Sequence, residues 1–437
     1  MVHSPFQKHP RIRIMKLTTL LLMAAMLTLA TSGPGFAETL EEAWQIGLAA
    51  DHIIKAAAQD TEASQANLAA AEGARLPSVH LGGGYRLLDN EPVSIAGIGQ
   101  FTTADDASLS YQAMMQVPVF SNFQISSNIE AANEICAASK QTEQSVMQSI
   151  KLRIAEAYFT VLLQQQQVEV AVSHEQSLAA HANDVQNLHD EGMVPVNDLL
   201  AARVALANAR QTTLQAQNGL DVARSAYNRL LGRPMDYGLQ LVPPSLVFSE
   251  IDFDALSAKA LANRSGLAAL TNQINALLLQ AKAAKSGNGP KIEVRGGYDY
   301  NENSHQLHEG AWQVLVGASW DIFDGNVARH KGAALHAQSR AVAENRQDLE
   351  SLILLQVRQA GLDMDESRKR IAVAKETLSQ ADENLQVTRN RYQDGIGTNT
   401  EVLDAESMRM ASYARYDTAL HDAGLAVIRL RYAVGDL

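Results

Sequence analysis

The sequence predicts a mainly α-helical chain with a membrane-associated β part, in which one unit of two strands and a long αα-hairpin occurs twice. Segments of the first half recur in the second half at a nearly constant offset. Each half has two strand-like segments with period-two alternation, and each has a helical segment of about 65 residues. An internal repeat determines the architecture more strongly than any single element does.

The repeat is defined by matched segments whose spacing changes in one place only. Pro77 and Pro290 open the first strand of each half at an offset of 213 residues (290 − 77). Gly192 and Gly395 follow at an offset of 203 residues (395 − 192). Phe120 and Phe323, at the end of the second strand of each half, are already at the offset of 203 residues (323 − 120), so the ten-residue difference (213 − 203) lies between the two strands. We expect that connection to be the one that is free to vary in length.

The N-terminal segment 1–37 is typical of an export signal. Four Lys or Arg and no acidic residue accompany an apolar run too short to cross a bilayer, with a predicted cut after Ala37. Met15 is an alternative start. Beyond the signal we assign a first repeat at 38–232, a linker at 233–250 and a second repeat at 251–437. No later apolar run approaches twenty residues, so no membrane-spanning helix is expected.

Charge and reactive side chains exclude several functions. The net charge is −12, or −16 once the four cations of the signal are removed (−12 − 4), which argues against nucleic-acid binding. Cys136 is the single cysteine and is expected to be a small buried side chain. His174 and His181 lie seven residues apart without a third ligand, so no metal site is predicted. No catalytic or phosphate-binding motif is found, so neither an enzyme activity nor a cofactor is predicted.

Two segments in each half alternate between apolar and polar residues, as strands do when one face meets an apolar environment. They lie at about 77–88 and 108–120, and at about 291–301 and 311–323; the segment 89–107 between the first two is interpreted as a loop. Aromatic residues near the strand ends are typical of transmembrane β-strands. The side chains predicted to face lipid are Leu109, Tyr111, Val117, Val294, Tyr298, Trp312, Val314, Val316 and Trp320.

Four such strands cannot close a barrel, and open sheet edges are not tolerated in lipid. Three copies would supply 3 × 4 = 12 strands, so the pattern predicts a barrel that is shared among subunits. A half-exposed soluble sheet is the alternative interpretation of any single strand. Four strands in matching phase on an exported chain favour the membrane interpretation.

The remaining segments are helical. Thr39 and Glu42 form a capping box at the start of a segment that runs to about Gly73. Each long segment would reach about 100 Å at 1.5 Å per residue, a length that favours coiled-coil packing. Turns at Gly192 and Gly395 reverse the chain into a shorter helix and create two αα-hairpins. The predicted hairpin helices are 125–189 and 197–231 in the first half, and 329–392 and 400–434 in the second.

These features resemble the TolC-type outer-membrane efflux proteins over nearly all of 39–437. The segment Tyr392-Gln-Asp-Gly395-Ile-Gly-Thr-Asn-Thr-Glu401-Val-Leu403-Asp404-Ala405 is similar to the family's Tyr-x-x-Gly…Asp-Val-Leu-Asp-Ala hairpin tip. The segment 188–202 is its first-half counterpart. The resemblance implies a homotrimer with a 12-stranded β-barrel in the outer membrane of a Gram-negative bacterium, continuous with a coiled-coil α-helical tunnel that extends into the periplasm.

By this resemblance, the chain would be the passive outer-membrane channel-tunnel of a tripartite efflux or type I secretion system. Its partners would be outer-membrane lipid, a periplasmic adaptor protein and an inner-membrane pump of the RND, ABC or MFS type. Drug, metal-ion and protein export share this outer component, so the cargo is left open. The alternative from another class is a periplasmic coiled-coil scaffold or adaptor protein without a channel.

The resemblance also implies roles for the hairpin turns. The periplasmic gate would consist of Tyr392, Glu401 and Asp404, with Gly397 where some members place an Arg that ties neighbouring helices. In a trimer, Glu401 and Asp404 would form two rings of carboxylates that favour cations. The alternative is that both are ordinary surface charges at the start of a helix, where acidic side chains interact favourably with the helix dipole. The adaptor would dock at Gly192, Val194, Val196, Asp198, Leu200, Gly395 and Leu403, of which Val194 and Val196 are expected to be exposed.

Overall fold

The computed structural model describes residues 37–97, 99–248 and 250–437, so residues 1–36 of the predicted export signal lie outside the described part. The described residues form eight α-helices and six β-strands. Within these ranges, no helix contains an apolar stretch of the length and hydropathy that a bilayer crossing requires.

The elements follow the predicted order in both halves. The first half contains α1 (Leu40–Ala50), α2 (His52–Gly73), β1 (Ser78–Leu87), β2 (Val93–Ala96), β3 (Gly99–Thr102), β4 (Ala107–Phe120), α3 (Gln124–Asp190) and α4 (Val196–Leu230). The second half contains α5 (Phe253–Asn263), α6 (Ser265–Ser286), β5 (Lys291–Asn301), β6 (Gly310–Ser319), α7 (Val327–Gln393) and α8 (Asn399–Val434).

Equivalent helices of the two halves match in length, which confirms the predicted duplication of the fold. The helices α1 and α5 have 11 residues each, α2 and α6 have 22 each, and α3 and α7 have 67 each. The small strands β2 and β3 occur only in the first half of the described chain. The extra length of the first half therefore forms its own local structure.

The first helical segment is divided, which the sequence-based prediction missed. Thr39 and Glu42 form the predicted capping box, with Thr39 N donating to a Glu42 carboxylate oxygen at 2.8 Å. The helix then ends at Ala50, because Asp51 adopts an extended backbone with ψ of 129°. Its carboxylate accepts hydrogen bonds from the backbone N–H groups of Ile53 and Ile54 and caps α2.

Two predictions about the strands are corrected. The predicted loop 89–107 contains the β2–β3 hairpin, in which Val93 pairs with Thr102; the local Val-Ser-Ile alternation favours this strand. The last strand ends at Ser319 rather than at 323. Its partner β5 begins at Lys291, which pairs with Ser319, so no further residue is available to continue the ladder. Trp320 therefore lies beyond β6.

The hairpin turns require glycine because of their backbone conformation. Gly192 and Gly395 have φ of +72° and +74°, in the left-handed region where a Cβ is unfavourable. Apart from the glycine and its two chain neighbours, no residue has an atom within 4 Å of the position that a Cβ would take at either turn. The space is therefore available, and the backbone angle is the reason that glycine is favoured.

The chain packs as two compact units. The hairpin unit comprises 37–49, 154–246 and 374–421, and the sheet unit comprises the described residues of 50–153, 247–373 and 422–437. The core of the sheet unit is formed by α5, α6, α7 and α8. Its buried residues are Ala260, Leu267, Ile353, Val357, Ala360, Met364, Ala426, Leu430, Ala433 and Val434.

Part of the predicted linker is held against the helices of the hairpin unit. Glu38 forms a parallel bridge with Leu241, with the backbone N–H of Val242 donating to Glu38 O at 3.0 Å. The hydroxyl of Tyr158 lies 2.8 Å from Glu38 O and 2.6 Å from Val242 O. Because Tyr158 is fully buried in α3, this contact fixes the first part of the linker.

Candidate functional site

The first candidate site is the apolar face of the sheet. The strand order is β1–β4–β5–β6, and directly paired residues of neighbouring strands share a face. Trp312 pairs with Tyr298, which pairs with Ala113, while Val316 pairs with Val294, which pairs with Val117. Leu81 of β1 pairs with Ala113, so the register places the apolar side chains of all four strands on one side. Trp312 is 81% exposed, and its neighbours Val314 and Val316 are also exposed.

Neighbouring strands determine how exposed each of these side chains is. Leu109 and Tyr111 are exposed, whereas Val117, Val294 and Tyr298 are half-buried. The ring of Tyr111 stacks on that of Tyr300 across the strands, with centroids 4.5 Å apart. Trp320, beyond the strand, is exposed as well. The face is therefore a broad apolar surface and not a set of isolated side chains.

The opposite face of the sheet is polar. Gln116 donates to the Glu293 carboxylate at 2.6 Å, and Arg295 pairs with the same carboxylate at 2.5 Å. Gln112 and Asp299 are paired on this face. One face suited to lipid and one suited to water are what a barrel wall around an aqueous lumen requires.

The two outer strands leave the sheet open. In the described part of the chain, β1 pairs only with β4 and β6 pairs only with β5. Each outer strand therefore presents one row of backbone N–H and C=O groups without a strand partner. Such edges are satisfied in a membrane only when the sheet is closed.

The second candidate site is at the hairpin turns, where the two hairpins share a core. Its buried residues are Ala182, Val185, Leu199, Ala202, Leu385, Tyr392, Val402 and Ala405. Tyr392 is only 6% exposed, and its hydroxyl has no hydrogen-bond partner within the described ranges. Its ring packs edge-on against His181 at 5.5 Å. Burial raises the pKa of Tyr392, and the nearby Asp198 carboxylate raises it further.

The other two residues predicted for the gate lie at the surface. Glu401 and Asp404 are exposed on the first turns of α8. Glu401 forms a capping box with Thr398, with two reciprocal hydrogen bonds of 3.3 Å. Arg391 lies 3.9 Å from the Glu401 carboxylate. Glu401 therefore has a helix-start role in the chain itself, while Asp404 has no hydrogen bond or ion pair among the described residues.

The predicted docking residues differ in how accessible they are. Val196 and Leu200 are exposed, as are the turn glycines Gly192 and Gly395, whereas Asp198 and Leu403 are half-buried. The expectation of an exposed Val194 is wrong. Val194 packs against the shared core, and its carbonyl accepts a hydrogen bond from His189 Nδ1 at 3.1 Å.

Two exposed side chains at the turns were missed by the sequence-based prediction. Met193 is 69% exposed and Ile396 is 70% exposed. Each directly follows a turn glycine, and the two are repeat equivalents at the same offset of 203 residues (396 − 193). That shared offset is the sequence signal that could have identified them.

A buried charged cluster beneath the turns was also missed. Glu406 of α8 is fully buried, and its carboxylate accepts a hydrogen bond from Ser177 Oγ at 2.7 Å and pairs with Arg389. His174 Nδ1 lies 3.6 Å from the other carboxylate oxygen. Burial raises the pKa of Glu406, but His174, Ser177 and Arg389 outweigh burial and hold it below its ordinary value. The cluster links α3 to both helices of the second hairpin.

A neutral link lies beside the charged one. His181 Nε2 is 2.7 Å from Asn399 Oδ1, and the Asn399 amide donates to the backbone carbonyl of Asp198 at 3.1 Å. Burial lowers the pKa of His181, which favours the neutral ring that donates to Asn399. His174 and His181 thus have separate protein partners. Cys136 is buried, as expected.

Comparisons with known proteins agree with this geometry. A model of the outer membrane efflux protein family matches residues 45–233 and 256–436, one segment in each half of the duplication. The alkaline protease secretion protein AprF of Pseudomonas aeruginosa is 24% identical over 441 residues, covering 97% of this chain and 89% of AprF. The outer membrane protein TolC of Vibrio cholerae is 22% identical over 440 residues, covering 97% of this chain and 96% of TolC.

The fold is likewise that of a solved outer-membrane protein. The structure of VceC from Vibrio cholerae superposes with a TM-score of 0.78 at 16% identity, covering 91% of this chain and 96% of VceC. The resemblance drawn from the hairpin-turn motif is thereby confirmed, as is the mainly α-helical fold class with its four-stranded β part. The chain belongs to the outer membrane efflux protein family.

Proposed function

We propose that three copies of this chain form a channel-tunnel in the outer membrane of a Gram-negative bacterium, which conducts substrates outward across the periplasm. The observation that carries the proposal is the four-stranded sheet with one apolar face, one polar face and two open edges. In a closed 12-stranded barrel, β6 of one copy pairs with β1 of the next. The apolar faces then meet lipid, and the polar faces line the lumen.

The hairpin turns supply the periplasmic end of the proposed channel. Asp404 and Glu401 are exposed carboxylates one helical turn apart, so three copies place two rings of three negative charges at the aperture. Tyr392 contributes through the packed core, because its ring lies between the hairpins and its hydroxyl is buried. Rearrangement of that core would be needed to widen the aperture.

The partners of the proposed channel are a periplasmic adaptor protein and an inner-membrane pump. Exposed apolar side chains at the turns support adaptor docking, since such groups anchor protein interfaces when they are presented on a rigid turn. The set comprises Met193, Val196, Leu200 and Ile396.

The lipid-facing assignment is tested by Val316→Arg, with Gln313→Arg as the matched control. Both residues lie on β6, but Val316 is on the apolar face and Gln313 on the polar face. An arginine facing the bilayer midplane costs about 2–4 kcal/mol, so Val316→Arg should reduce trimers in the outer-membrane fraction. Gln313→Arg should assemble and conduct in planar bilayers. Equal assembly of both variants would favour the alternative, a periplasmic scaffold with a solvated sheet.

The aperture is tested by the reversal potential across a salt gradient. Asp404→Asn should lower cation selectivity, because it removes one negative charge per copy from one of the two proposed carboxylate rings. The double variant Tyr392→Phe with Asp404→Ala should raise resting conductance. Asp221→Asn is the control, since Asp221 is an exposed acid elsewhere on the hairpin unit. Unchanged selectivity and conductance in the Asp404 variants would remove this residue from the aperture.

A further inference from the structure

The hairpin unit contains a cavity that the proposed channel function does not use. Its volume is about 470 Å³, and it lies between α3, α7 and α8. Six residues characterise its wall: Glu169, His174, Met410, Tyr413, Tyr416 and Asp417. This volume falls in the range of small-molecule sites, which combine apolar and aromatic walls with a few placed polar groups.

Asp417 is the unusual group in this wall. It is only 9% exposed, and its Oδ2 atom has no hydrogen-bond partner in the part of the chain that the structure describes. Burial, with a further contribution from the neighbouring Glu169 carboxylate, raises the pKa of Asp417 to about 6. A buried carboxylate without a partner is costly, so a partner from outside the chain would stabilise it.

The cationic side chains of the wall do not supply that partner. Arg409 is held by Asp382, with Nε 2.6 Å from the carboxylate, and it lies over the ring of Tyr413 at 5.0 Å. His174 faces Glu406. Lys375 is exposed at the rim. The interior of the cavity therefore retains the negative charge of Asp417 beside Glu169.

We propose that this cavity binds a small organic cation, with the ammonium or aromatic-cation group paired to Asp417 and Glu169. Tyr416 adds an aromatic ring that can contact a cation, and Met410 and Val170 supply adaptable apolar contact. A compact hydrated metal ion would leave these aromatic and apolar walls without a contact. The site needs only the hairpin unit, so it does not depend on conduction through a barrel.

Ethidium is a suitable probe, because it is a cationic aromatic molecule whose fluorescence rises on binding. Titration of the purified full-length protein in detergent at pH 7.5 should give saturable binding. Asp417→Asn should weaken binding at least tenfold, and Tyr416→Leu should weaken it severalfold. Asp221→Asn makes the same substitution at an exposed site outside the cavity and should bind as the wild type does.

Three results would overturn the proposal. Equal affinity of wild type and Asp417→Asn would exclude the charge pairing. Equal affinity for an anionic dye of similar size would indicate non-specific apolar binding, and displacement of ethidium by millimolar Mg²⁺ would indicate a divalent-cation site. Circular dichroism checks that Asp417→Asn keeps its fold, and Asp417→Glu, which retains the charge, should restore at least part of the affinity.

Discussion

The buried ion pair between Arg389 and Glu406 gives the sharpest test of how the two hairpins are held together. Glu406 is fully enclosed, whereas the Arg389 side chain is one-third exposed. Arg389→Ala removes the arginine and leaves the enclosed carboxylate with Ser177 and His174 as its neighbours. The link between α3 and the second hairpin would then contain a buried carboxylate without its arginine partner.

The expected magnitude follows from the cost of leaving a buried charge unpaired, about 3–5 kcal/mol. At about 1.4 kcal/mol per factor of ten, local opening of the hairpin should become about 100- to 4,000-fold more frequent. Amide hydrogen exchange measures this opening directly, because amides of α8 near Glu406 exchange only when the segment opens. Exchange in the sheet unit should stay at the wild-type rate.

Two further variants make the test specific. Arg389→Ala with Glu406→Leu removes both charges and should recover most of the protection. Arg391→Ala is a nearby control that breaks only the exposed ion pair with Glu401, in which the charged groups are 3.9 Å apart. It should lower the free energy of opening by at most about 1 kcal/mol. Equal exchange rates in Arg389→Ala and Arg391→Ala would contradict a stabilising role for the Arg389–Glu406 pair. Because the folded-state pKa of Glu406 is depressed, its stabilisation is present above its unfolded pKa and is lost as pH falls through the folded pKa.

The remaining predictions concern single groups. Asp417→Asn should stabilise the hairpin unit above pH 6, because the pKa of Asp417 is about 6 in the folded protein and 3.8 ordinarily. The difference of about 2.2 pKa units corresponds to about 3 kcal/mol, at about 1.36 kcal/mol for each pKa unit. This stabilisation should vanish below about pH 4 in denaturant titrations, and a constant difference would contradict it. Gly395→Ala should lower the free energy of unfolding by about 1–2 kcal/mol, measured by thermal denaturation, because Gly395 has a positive φ. Gly73→Ala is the control and should cause no such loss, since Gly73 lies in open space at the end of α2. Tyr392→Phe should leave the free energy of unfolding unchanged or raise it, because the buried hydroxyl has no partner to lose and its desolvation cost disappears; a clear decrease would contradict this.

Most of the fold could be predicted because its signals are local. The bounds of α3 and α7 lie within two residues of the predicted ones, since uninterrupted helical periodicity and the turn glycines are visible along the chain. The strand phases were also correct, and the register of β4, β5 and β6 brings the apolar positions onto one face. Local errors arose at Asp51 and at β2–β3, where a side-chain cap and a short hairpin replaced the expected helix and loop.

The duplicated architecture, the two faces of the sheet and the places where the chain reverses are visible in the sequence, because periodicity and glycine conformation act over a few residues. The burial of Tyr392, the pairing of Glu406 with Arg389 and the unpartnered position of Asp417 at a cavity follow from the packing of the helices. These environments are created by helices that meet from distant parts of the chain. The burial and charge of a side chain's surroundings depend on that packing, and no local pattern records them.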